Sequence, residues 1–129
     1  MKALTIKQPW ANLIIKGLKK YEFRSWRTKY RGPLLIHAGK GTDNPSVVRL
    51  KEYLPNNLPT GEIIGQVNVV DCIEVTKEFK EKLLLENKDI YKGSEIGSYA
   101  WKLDNVVIFD KQIAINGKLS LWEYEGDVV

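Results

Sequence analysis

Gly17-Leu18-Lys19-Lys20-Tyr21-Glu22-Phe23-Arg24-Ser25-Trp26 is the stretch on which the fold turns. Gly17 reads as a helix stop, and from Lys20 the pattern changes to period two. Strand alternation then sets Lys20, Glu22, Arg24 and Trp26 on one face, with Tyr21 and Phe23 on the other. Upstream, residues 3–7 read as a short strand. Pro9 suits the first turn of a helix, where its missing N–H costs nothing, and Trp10, Leu13 and Ile14 follow at helical spacing. Downstream, Arg31-Gly32 marks a turn and residues 33–38 form a second strand entering the core.

The same reading extends along the chain. Asp43, Asn44 and Pro45 open another helix carrying Val47, Val48 and Leu50. Residues 55–61 are a loop, and 63–75 form a long β-prone segment. Residues 77–86 read as a polar-faced helix with Phe79, Leu83 and Leu84 inward. Residues 98–103 and 106–115 are expected as two further strands. The tail, residues 117–124, is expected to supply Leu119, Leu121 and Trp122 to the core. Strands outnumber helices, which predicts an α+β domain, and their spacing suits a small mixed barrel.

Length and composition set the frame. With 129 residues, 43% hydrophobic and 28% charged, the chain reads as one soluble domain spanning residues 1–129. No apolar run approaches the roughly 18–20 residues needed to span a bilayer, and none of signal-peptide length opens the chain. Neither a membrane partner nor export is expected. The single cysteine, Cys72, lies in an apolar run and reads as a buried side chain; a chain without disulfides fits a reducing, cytoplasmic setting. One histidine and one cysteine argue against a structural zinc site, and no metal or other cofactor is expected.

Charge is unevenly spread. Residues 1–40 hold ten basic residues against one acid, Glu22, while the remainder carries −5 of the net +4. A one-sided distribution of this kind builds a local field even when the total is modest.

Three ordered motifs carry a resemblance that covers nearly the whole chain. They are Gln8-Pro9-Trp10-Ala11, the G-x-K-x-x-E-x-R pattern from Gly17 to Arg24, and Arg31-Gly32-Pro33-Leu34-Leu35-Ile36-His37-Ala38. The sequence resembles the ASCH domain of the PUA-like superfamily. It is similar to the QPW-containing type, including the ASCH domain of a eukaryotic transcriptional coactivator. The resemblance implies a PUA-like β-barrel with packed helices and a cleft lined by the G-x-K-x-x-E-x-R segment. Members of the wider superfamily commonly bind RNA; some ASCH-like proteins bind DNA, others cleave RNA, and one subgroup hydrolyses N4-acetylcytidine.

The residues themselves fit a nucleic-acid partner, RNA or a single strand. Arg24 and Arg31 suit phosphate, because a planar guanidinium donates two parallel hydrogen bonds. Lys19, Lys20 and Lys40 add charge along a backbone track. Trp26, Tyr30 and Trp10 offer flat faces for unpaired bases, although the two tryptophans also suit core packing. Gln8 either contacts a ligand through its amide or caps the turn. Glu22 is the informative exception, since a carboxylate repels phosphate. Its open roles are an ion pair holding Lys19 or Arg24, acceptance of a base edge, or general acid–base work. His37, on an apolar strand, is either a packed structural residue or a proton shuttle. The alternative is an enzyme acting on RNA or a modified nucleoside through Lys19, Glu22 and His37. For the acetylcytidine hydrolases, the resemblance implies a threonine nucleophile where this chain has Glu22, which sets that mechanism in doubt.

Overall fold

The computed structural model describes residues 1–128. Six strands form one mixed sheet: β1 (Lys2–Gln8), β2 (Tyr21–Arg24), β3 (Gly32–Thr42), β4 (Glu62–Glu74), β5 (Tyr99–Ala114) and β6 (Leu121–Glu123). Their order is β2-β5-β4-β3-β1-β6. The β1–β3 pair is parallel and aligns Thr5 with His37, whereas the other neighbours are antiparallel. Residues 34–38 of β3 are buried without interruption, as expected of a strand covered on both faces.

Backbone pairing leaves β2 and β6 at opposite ends, so the hydrogen-bonded ladder itself does not close into a barrel. The sheet curls strongly nonetheless. Four strand spacings separate β2 from β1, about 19 Å in a flat sheet, far beyond the reach of one side chain. Yet the Arg24 guanidinium on β2 donates to the Thr5 carbonyl on β1 at 3.0 Å. The interior of this curl holds Leu4, Ile6, Ile36, Val67 and Trp101, all essentially buried.

Four α-helices among the described residues pack around the sheet: α1 (Trp10–Ile15), α2 (Asn44–Arg49), α3 (Lys77–Glu86) and α4 (Lys88–Tyr91). Pro9 stands immediately before α1, and Gly17, at φ 75°, ends it. The Leu18 N–H returns to the Leu13 carbonyl and Gly17 N–H to Ile14, the hydrogen-bond pattern that a left-handed glycine allows. Asp43 caps α2 by accepting from Ser46, and Thr76 caps α3 by accepting from Phe79 N–H at 3.1 Å. Leu13, Leu50, Leu83, Ile90 and Tyr91 bind these helices into a second core. No helix among the described residues is long and apolar enough to cross a membrane.

Three sequence expectations need correction. The two strands expected at 98–103 and 106–115 are one strand, β5, broken by irregularities in its pairing with β4 and by Asn105 at φ 51°. The polar pair Asp104-Asn105 marks that irregularity, not a chain reversal. Leu119, expected in the core, is 95% exposed, while Trp122 nearby is buried. Trp26, one of the expected stacking faces, lies past the end of β2 at Arg24 and packs edge-to-face on Trp101 at 4.9 Å, against the core.

Candidate functional site

The gap between β2 and β1 is where the G-x-K-x-x-E-x-R segment meets the first strand. Gly17 turns the chain out of α1 and delivers Lys19, only 4% exposed, beneath Trp10 and Phe23. Its ammonium donates to the Tyr21 carbonyl at 2.5 Å and to Glu22 Oε1 at 3.0 Å, and lies 5.0 Å from the Phe23 ring centre. Glu22, 7% exposed, gives its other oxygen to Arg24, which donates from Nε at 3.1 Å and Nη2 at 2.9 Å. One carboxylate therefore joins two cations, and the cluster carries a net positive charge.

Burial pushes the Lys19 amine below its ordinary value, and the Arg24 charge adds to that; the Glu22 carboxylate opposes it. For Glu22, burial by itself would raise the carboxyl, but the charges of Lys19 and Arg24 and the hydrogen bonds they donate hold it below the usual value. Glu22 thus stays ionised, and its ion-pair role is occupied on both oxygens.

Two hollows flank this cluster and share Trp10, Glu22 and Phe23 as their common wall. The wider, about 520 Å³, lies along β1 and β2; Lys7, Arg24, Lys40 and Lys118 line it, and Glu22 is its one acid among the described residues. The smaller, about 320 Å³, lies on the helical side, where Lys19, Asp43, Arg49 and Ile90 complete its lining.

The structure brings together Trp10, Lys19, Glu22, Arg24 and Lys40 from the expected set. Other expected residues sit elsewhere. Lys20 points to α3, where it pairs with Glu86 at 3.5 Å. Arg31 donates to the Thr28 and Tyr30 carbonyls and faces Asp71 at 3.8 Å, outside both hollows. Gln8 is fully buried: its Oε1 accepts the Asn12 N–H at 3.0 Å and its Nε2 donates to Pro59 at 2.8 Å, so its amide serves the α1 turn and a loop. His37 makes no hydrogen bond to Lys19 or Glu22. Its Nε2 lies 2.7 Å from the Ile115 carbonyl, which fixes a proton on that nitrogen, and its ring packs on Trp122. Among the described residues no group of three or more His, Cys, Asp or Glu gathers in a metal-binding arrangement.

Lys7, Phe23, Arg49 and Lys118 were not singled out for the cleft by sequence reasoning. Lys7 flanks one recognised motif and Phe23 lies within another, but alternation assigned Phe23 to the far face. That rule fails here because β2 is a four-residue end strand with hollows on more than one side. Nothing local marks Lys118, which reaches the cleft from a distant part of the sequence through the β1–β6 pairing.

Comparison with known proteins places this geometry in a family. Residues 4–112 match the ASCH domain. Activating signal cointegrator 1 of Homo sapiens is 30% identical over 136 residues, covering 97% of this chain and 22% of that protein. The Mus musculus protein of the same name matches to the same extent. The chain thus spans about a fifth of the length of these relatives. Among solved structures, the ASCH protein from Zymomonas mobilis superposes with a TM-score of 0.62 at 14% identity, over 96% of this chain and 87% of that one. A variant of that protein gives 0.60. At such identity the likeness speaks for the fold alone. With the matched residues running from β1 into β5 and enclosing the whole Lys19–Glu22–Arg24 cluster, this chain belongs to the ASCH domain family.

Proposed function

We propose that this domain binds RNA or single-stranded nucleic acid in the cleft between β1 and β2 and does not turn it over. One observation carries the reading: four cations from four separate parts of the chain face one hollow whose single carboxylate is already neutralised. Such a surface attracts a polyanion by releasing its counterions. Among the described residues, hydrogen bonds tie Arg24 Nε and Nη2 but not Nη1, leaving donors for a phosphate oxygen. The smaller hollow, at the lower end of the roughly 300–1,000 Å³ typical of ligand pockets, suits one unpaired base against Trp10 and Phe23.

Glu22 supports binding over hydrolysis. An acid–base catalyst needs a free oxygen near a reacting atom, and both Glu22 oxygens are engaged by cations. The threonine that resemblance implies for the acetylcytidine hydrolases is absent at this position. Fluorescence anisotropy with a labelled single-stranded oligonucleotide across a salt series tests the proposal. Four phosphate contacts predict a slope of about −3 in log K against log salt. Undetectable affinity at low salt, or affinity indifferent to salt, refutes it. Turnover of RNA or acetylcytidine by the pure domain refutes the non-catalytic part.

A further inference from the structure

The loop between β5 and β6 thrusts one apolar side chain over a basic cleft. Leu119 is 95% exposed and lines both the wide hollow and a third, about 410 Å³, that continues past Lys40 and Lys118 towards His37. Exposed single leucines are ordinary; Leu85 on α3, 90% exposed, borders neither hollow. Leu119 differs in how it is held.

Both ends of its loop are clamped. On the entering side, Ile115 gives its N–H to Gly61 at 3.1 Å and its carbonyl to His37 Nε2 at 2.7 Å. Gly117 then sits so close to Thr5 and His37 that a Cβ there would lie 2.8 Å from the His37 ring, so only glycine fits. On the leaving side, Ser120 turns the backbone at φ 60°, and Trp122 donates from Nε1 to Thr5 Oγ1 at 3.1 Å. Thr5 is also the residue whose carbonyl receives Arg24. The loop is thereby fixed to the same strand residue as the cationic cluster, with Lys118 and Leu119 side by side at its tip.

We propose that Leu119 is a wedge that inserts between neighbouring bases of the bound strand while Lys118 meets the adjoining phosphate. The inference rests on the nucleic-acid reading above. On a strand whose phosphates face lysines, the base faces are the available apolar surface, and apolar side chains inserted between bases unstack them.

The test uses a single-stranded oligonucleotide carrying 2-aminopurine, whose fluorescence rises when it is unstacked, with inorganic polyphosphate as a ligand that has no bases. Wild type should raise the fluorescence. Leu119→Ser should abolish the rise and weaken oligonucleotide binding about tenfold, as expected for losing burial of much of a leucine, with the salt slope unchanged. Polyphosphate binding should be equal in both proteins, and Leu119→Phe should keep the fluorescence rise. An unaltered oligonucleotide affinity and fluorescence in Leu119→Ser overturns the wedge and leaves the cleft standing; so does an equal loss of polyphosphate binding. Absence of oligonucleotide binding by wild type overturns the underlying reading and the wedge with it.

Discussion

Replacing Glu22 by Gln removes the one negative charge between Lys19 and Arg24 while keeping the side-chain volume. Lys19, 4% exposed, is left with only the Tyr21 carbonyl and a neutral amide, whereas Arg24, about a quarter exposed, can turn to water. The cost therefore falls mainly on Lys19. Removing one partner of a buried pair typically costs about 3–5 kcal/mol. A domain of this size has roughly 5–15 kcal/mol in total, and a loss of that size lowers Tm by about 12–20 °C. Urea denaturation followed by tryptophan fluorescence measures it.

The pH dependence supplies the sharper check. Glu22 is held below its ordinary value in the fold, so its contribution is fully present above the unfolded value of about 4.3 and is lost as pH falls through the folded one. Glu22→Gln should therefore flatten part of the acid limb of the wild-type stability profile. At the alkaline end the difference between the two proteins should shrink. Lys19 is already pushed down by burial, and once its amine is neutral the missing carboxylate matters less. A loss under about 1 kcal/mol at pH 7, with an unchanged acid limb, would refute the claim that this carboxylate holds the two cations.

Other outcomes follow from particular contacts. Lys7→Ala and Lys40→Ala, both exposed on the wide hollow, should each flatten the salt dependence of oligonucleotide affinity by about 0.7 without altering the urea midpoint. Lys20→Ala, outside the cleft, should leave that slope almost unchanged. Gly65→Ala should destabilise by about 1–3 kcal/mol in urea, because the added methyl meets the Val107 carbonyl at 2.5 Å and Ile15 at 2.6 Å. Thr76→Ala removes the α3 cap and should cost about 1 kcal/mol in the same assay.

Local physics made much of this chain legible before any coordinates. The expected helix at 77–86 is α3 residue for residue, and the β-prone run at 63–75 is β4 displaced by one. Capping oxygens, glycine stops and apolar periodicity act over a few residues, so they are written locally. The same is true of the three motifs that announce the family. The sheet order was not legible, nor the parallel β1–β3 pairing. Alternation tells a strand which side is apolar but does not name its neighbour.

The sequence by itself determined a compact α+β domain with a cationic N-terminal third and one conspicuous carboxylate, Glu22. Only the tertiary structure decided which cations that carboxylate meets. Lys19 and Arg24 turn inward to it, while Lys20 and Arg31, equally basic, pair with Glu86 and Asp71 elsewhere. It also carried Lys118 into the cleft and Trp26 out of it. The reason is that charge has a sign but no address along the chain. The curl of the sheet, set by packing among distant apolar residues, brings Thr5 within 3.0 Å of Arg24 and so creates the site.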